Sequence, residues 1–297
     1  METNDTPATL QIVKSRSYVA SLREGLKFPL LHFGELCRFL WPAMLLLLIL
    51  SLGTTLTELY ITLGHKQLPA LSTANGLAVA GLELIVLLSH ALFMGHILYQ
   101  QRTLTAQGTL PHAKSLKIWH EWLNLALRSL LCGAVVKLLF CLCVAALAIS
   151  RLQSQWLWLL PSVFLLLLLL LLVPPFLEFL FSKVSLVTAF KTARWRHLGN
   201  TTAIVLLAGL ISGLVAIAGS LPLLSLIGID VQVFLATLQG DAVQLPAYIP
   251  CLRVVCILLS ALAGAFATLL FLYPLLFHWG STTALDQERK AQAAMPY

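Results

Sequence analysis

Six ionisable side chains sit inside long apolar stretches of this sequence: Glu58, Glu83, His90, His96, Lys137 and Glu178. A charge at the centre of a membrane helix costs about 2.5 to 3.5 kcal/mol on insertion scales, so such residues are functional candidates by default. Glu58 and Glu83 flank one connection and would be neighbours across a helical hairpin. Like charge and desolvation would then raise at least one pKa, the property that proton-coupled transport requires. Lys66, between them, supports the opposite reading: two acids near water, one of them neutralised. His90 follows Glu83 by seven residues and lies on nearly the same face, whereas His96 points elsewhere. Helical metal ligands recur at spacing three or four, as in HExxH, and spacing six does not provide that. The two histidines therefore read as interhelical hydrogen-bonding groups, with no metal or cofactor implied. Lys137 and Glu178 could meet across a short hairpin, as an ion pair that fixes bundle register rather than as a catalytic pair.

The elements that must carry these residues follow from composition. Of 297 residues, 59% are apolar and 10% charged, and the mean hydropathy is +0.90. A soluble domain carries roughly a quarter of its residues as charges, so a soluble fold, a disordered chain and a secreted disulfide scaffold are all excluded. Six stretches approach the roughly 20 apolar residues that cross a bilayer, at 40–62, 76–100, 127–150, 155–181, 201–227 and 252–277. The expected fold is an all-α polytopic membrane protein with juxtamembrane amphipathic helices. Its parts are an N-terminal cytoplasmic segment with a membrane-surface helix (1–39), a six-helix domain (40–280) and a loosely ordered cytoplasmic tail (281–297). Fifteen of the nineteen Lys and Arg residues fall on one side of this layout and three on the other, with Lys137 inside a span. Cations accumulate in cytoplasmic loops, which predicts that both termini are cytoplasmic.

Small residues at spacing four mark where membrane helices approach closely. Gly209 and Gly213 in the fifth span, with Ser260 and Gly264 in the sixth, predict that these two helices pack together. The leucine run 165–172 predicts a lipid-facing surface, and Pro174-Pro175 a kink or end to the regular helix. Val231, Phe234, Leu235 and Leu238 have the spacing of a short helix within the connection 228–250, with Pro246 and Pro250 as stops. Basic segments at 16–38 and 183–198 mix apolar and cationic residues, which suits anionic lipid at the cytoplasmic face or plain topogenic charge equally well. The six cysteines form no CxxC pair and read as small apolar fillers.

No aspartate lies in any of the six stretches, and the sequence contains no G-x-S-x-G, HExxH or phosphate-loop pattern. These absences weigh against an enzyme. The basic preamble with Gly34, and the run from Ser185 through Lys191 to Arg194, Leu198 and Gly199, resemble a family of six-helix bacterial inner-membrane proteins. That family includes the membrane domain of glycerophosphoryl diester phosphodiesterases. The resemblance implies a bacterial inner-membrane module that acts with partner proteins or as a homo-oligomer, and it transfers no catalytic residue. The expected function is a nonenzymatic module that binds lipid or assembles with partners, without nucleic acid. The alternative is a small-solute or proton-coupled transporter lined by Glu58, Glu83 and His90.

Overall fold

A computed structural model of the chain describes residues 12–63, 73–107, 118–149, 159–241 and 245–294. Among the described residues there is no strand, and the helices are α1 (Tyr18–Leu31), α2 (Phe33–Leu63), α3 (Thr73–Gln107), α4 (Ile118–Ile149), α5 (Leu159–Phe181), α6 (Leu186–Thr192), α7 (Leu198–Leu238) and α8 (Ile249–Ala293). A 3-10 turn at Trp195–His197 leads into α7. Five of these helices, α2, α3, α4, α7 and α8, contain segments long and apolar enough to cross a bilayer, and α5 with α6, bent by 119°, makes a sixth candidate. The chain is an all-α polytopic membrane protein.

The surface of α7 shows why. Leu210, Leu214, Ile217, Leu221 and Leu224 are all more than half exposed and recur every three or four residues, while Ala208, Ser212 and Leu226 are buried. A continuous outward leucine stripe of this kind is a liability in water and neutral in hydrocarbon. Leu166, Leu167 and Leu171 of α5 face outward in the same way, as the leucine run predicts.

The last two helices form an antiparallel hairpin, fixed along its length by contacts of Thr201 with His278, Ser220 with Ser260 and Asp230 with Arg253. Their closest approach differs from the expected one. A Cβ built on Gly219 would lie 2.1 Å from the Cβ of Ala263, whereas at Gly213 and Gly264 it would meet nothing within 4 Å and at Gly209 only the Phe271 ring at 3.9 Å. Of the four predicted packing residues, only Ser260 sits at this contact. The hairpin is long, and the facing stripe of a straight helix drifts by about 20° per heptad, so one glycine pair does not stay in the seam. Two further close approaches join the bundle. A Cβ on Gly95 of α3 would come within 2.6 Å of the Ala126 backbone of α4, and one on Gly25 of α1 within 2.4 Å of the Pro274 backbone of α8.

The ends of several segments are set by what packs against them. The N-terminal helix packs on the bundle, Gly25 on Pro274 and Phe28 on Tyr273, and with Phe33 of α2 on Phe266 the chain runs antiparallel along α8. Residues 281–293 continue α8 rather than forming a loose tail, because Ser281, Thr282 and Ala284 are buried beneath the N-terminal segment and the loop before α7. Pro174 and Pro175 stay inside α5, which ends only at Phe181. The apolar residues 231–238 finish α7 rather than forming a separate helix, Gly240 turns the chain with φ +91°, and Pro250 starts α8, where a missing N–H costs nothing.

Candidate functional site

Polar side chains gather at the two ends of the bundle and in one patch between them. At the Arg-rich end, Arg194 holds together α5, α7 and α8. Its Nη2 lies 3.5 Å from Glu178 Oε2 and its Nε 3.3 Å from Asp286 Oδ2. Nη1 donates to the Trp279 carbonyl and to Thr282 Oγ1 at 3.2 and 3.1 Å. The Trp279 indole N–H donates to the same Glu178 oxygen at 3.1 Å, and the Arg194 guanidinium lies 5.5 Å from the indole ring centre. His197 approaches the other oxygen of Asp286 at 3.4 Å. Thr201 bonds both the His197 carbonyl and His278 Nε2 at 2.9 Å. The free space among these groups is about 20 Å³, enough for roughly one water. Each of these side chains has a protein partner, so the cluster holds helices together and has no room for a ligand.

Arg102 and Arg128 serve the same end differently. The last carbonyls of a helix have no partner within it and carry partial negative charge. Arg102 donates to the Leu180 and Ser182 carbonyls at 3.0 and 2.7 Å. Arg128 donates to those of Phe179, Ser182 and Val184 at 2.7, 3.0 and 3.1 Å. Two arginines from α3 and α4 therefore cap α5 where it bends into α6. The N-terminal segment closes this end: Ser281 Oγ accepts from the Arg16 amide at 2.9 Å and donates to its carbonyl at 2.8 Å. Burial lowers the pKa of Arg16, an effect opposed by Glu24.

At the other end, Arg253 Nη2 clasps both oxygens of Asp230, at 2.6 and 2.7 Å. Between Arg253 and His278 there is no acidic, basic or histidine residue. That interval of 25 residues is about 37 Å of helix, enough to cross about 30 Å of hydrocarbon with a modest tilt.

A polar patch lies inside this charge-free zone. A cavity of about 280 Å³ opens between α2, α3, α7 and α8, and its walls include Ser51, Thr55, His90, Ser220, Ser260 and Thr268. Ser220 and Ser260 share a hydrogen bond of 2.8 Å across the hairpin. Thr268 satisfies itself on the Gly264 carbonyl. His90 Nδ1 lies 2.9 Å from the Val86 carbonyl; a carbonyl only accepts, so Nδ1 carries the proton and Nε2 is left as an acceptor. Next to this cavity runs an apolar groove of about 510 Å³, bounded by Phe33, Cys37 and Met44 of α2, Pro222 of α7 and Leu259 and Leu262 of α8. Ala265 stands in the walls of both. Leu259 and Leu262 are exposed, so the groove opens sideways toward lipid.

The predicted residues divide accordingly. Glu58 and Glu83 fall within α2 and α3, and their side chains lie outside the described residues. Lys66 lies outside the described residues. His96 reaches between helices: its Nε2 lies 3.2 Å from the Phe39 carbonyl of α2, and its ring packs at a tilt against Phe39 with centres 4.7 Å apart. His90 instead bonds within its own helix. Glu178 meets Arg194 and Trp279, while Lys137 is exposed, nine residues and about 13 Å along α4 from the Arg128 that caps α5. The ion pair predicted for Lys137 and Glu178 is replaced at the carboxylate by one with Arg194. Asp286 and Thr201 escaped sequence reasoning, as did the hydroxyl pair across the hairpin. The spacing Ser212–Ala216–Ser220 opposite Ser260 was the available signal for the last of these. Among the described residues, no three His, Cys, Asp or Glu side chains are placed to hold a metal ion. Compared with protein-family models, curated proteins and solved structures, the chain matches none.

Proposed function

We propose that this chain is a nonenzymatic lipid-binding module of a bacterial inner membrane, with both termini and the Arg-rich end on the cytoplasmic side. The observation that supports it is the apolar groove beside the hydroxyl-lined cavity, which together suit one molecule with a chain and a polar head. Orientation rests on the excess of Lys and Arg at one end. At that end, Val187, Phe190 and Trp195 are exposed next to exposed Lys183, Lys191 and Arg196. Such a mixture rests at the headgroup level, where each cation contributes about 1 kcal/mol of attraction to an anionic leaflet. The groove then lies on the lipid-facing flank of the bundle.

The test is native mass spectrometry of the full chain released from a bacterial membrane in mild detergent. Retained lipid is expected on the unaltered protein and is expected to fall several-fold in Ala218→Trp, which fills the groove from an exposed position on α7. Equal retention by both forms, or none by either, overturns the reading.

A further inference from the structure

The cavity has a chemistry of its own, and its wall is informative for what it lacks. It contains no Lys, Arg, Asp or Glu. A phosphate brought here would sit in low dielectric with no counter-ion, and burying an unpaired charge is far costlier than burying a polar group that finds hydrogen bonds. The cations at the two ends of α8 are already committed, Arg253 to Asp230 and Arg194 to Glu178 and Asp286, and Arg38 of α2 is exposed and does not line the cavity. An ordinary phospholipid headgroup is therefore a poor occupant.

What the wall offers is one imidazole acceptor and a set of hydroxyls, those of Ser51 and Thr55 on α2 among them. The acceptor is Nε2 of His90, since Nδ1 is used on Val86. A donor on the α7–α8 side comes from Ser220 and Ser260: two hydroxyls that share one hydrogen bond keep one proton to give elsewhere. Thr268 adds none, because its hydroxyl already serves the Gly264 carbonyl. An uncharged head bearing both a hydroxyl and a carbonyl oxygen complements this pair, and the adjoining groove takes an acyl chain.

We infer that the cavity and groove together bind a neutral diacylglycerol-type lipid, its free hydroxyl on His90 and an ester carbonyl on the serine pair. The inference rests on the lipid-binding reading above and narrows it to one headgroup class. It also accounts for two structural oddities. Gly264, which sequence patterning placed in a helix seam, instead fronts the cavity with open space beyond it. His90, on an exposed face of a membrane helix, has a ring whose second nitrogen would otherwise face hydrocarbon.

The experiment uses the full chain in nanodiscs of phosphatidylethanolamine and phosphatidylglycerol. A trace of diacylglycerol or of phosphatidylglycerol is added, each with a photoactivatable group on its acyl chain, and crosslinked peptides are mapped. Diacylglycerol is expected to label the segments that bound the groove and to be displaced by unlabelled diacylglycerol. Gly264→Leu, whose Cβ meets nothing within 4 Å and whose side chain takes up cavity space, should lower that labelling at least five-fold. His90→Phe, which removes the acceptor but keeps the ring, should lower it about three-fold or more. Both variants are compared at matched helicity and thermal midpoint, so that a folding defect does not pass for lost binding. If phosphatidylglycerol labels the groove as strongly and neither variant alters the labelling, the headgroup assignment is wrong and lipid binding survives. If neither probe is displaced by its unlabelled form, both readings fall.

Discussion

The Arg-rich end and the mid-bundle cavity are both polar, and they are built on opposite principles. At the Arg-rich end, Arg194, Glu178, Asp286, Trp279 and Thr282 use one another's hydrogen-bonding capacity, with space for about one water. In the cavity, His90 and the Ser220–Ser260 pair retain capacity and face about 280 Å³ of space. Polar groups that satisfy each other hold helices in place. Polar groups that face a void in a membrane protein need a visitor, because hydrocarbon cannot hydrogen-bond to them.

The contrast can be broken most sharply at Arg194. Replacing it with Ala leaves Glu178 and Asp286 without their shared cation, and truncating one partner of a buried ion pair typically costs about 3 to 5 kcal/mol. A large drop in the thermal midpoint of the detergent-solubilised protein is expected, with a partial recovery in the double variant Arg194→Met with Glu178→Leu. An unchanged midpoint would mean that this end does not hold the bundle.

Gly219→Ala is the next largest effect, since the added methyl meets Ala263 well inside contact distance. Overpacking of this sort costs about 1 to 3 kcal/mol. Gly213→Ala, six residues earlier, has open space and should be neutral or stabilising by up to about 1 kcal/mol, because alanine favours the helix. Equal effects at the two glycines would refute the observed register of α7 on α8. Gly25→Val belongs to the same class and should raise protease sensitivity in α1 before any other segment.

The smallest effects should come from the cavity wall itself. Ser220→Ala removes a hydrogen bond between membrane helices, for which roughly 0.6 kcal/mol is typical. Its expected signature is a near-native thermal midpoint with weakened lipid labelling. Loss of stability without loss of labelling would place the serine pair with the structural group instead.

The same two regions show what patterning along a chain reveals. Apolar run length and cation bias suffice to find the long helices, because the backbone in hydrocarbon must satisfy itself segment by segment. The pairing of the last two helices was legible from their small residues, although the seam fell at Gly219 and Ala263 rather than Gly209 and Gly213. Arg102 and Arg128 belong to the cation bias along the chain, and nothing in their spacing tells that they cap α5, since their acceptors are carbonyls about 50 to 80 positions away. Glu178 was found as an important acid and given the wrong cation for a similar reason. Arg194 sits in a loop that reaches it only after the 119° turn between α5 and α6, and turns of that kind leave no periodic trace.

The clasp between Ser281 and Arg16 has a consequence for biosynthesis. The two residues are 265 positions apart, and the face of α1 that carries Gly25 and Phe28 packs on α8. At synthesis rates of roughly 5 to 20 residues per second, that face waits about ten to fifty seconds for its mate to leave the ribosome. Until then the opening helix needs another shelter, in the insertion machinery or against bare lipid, and the bundle closes only when its final segment arrives.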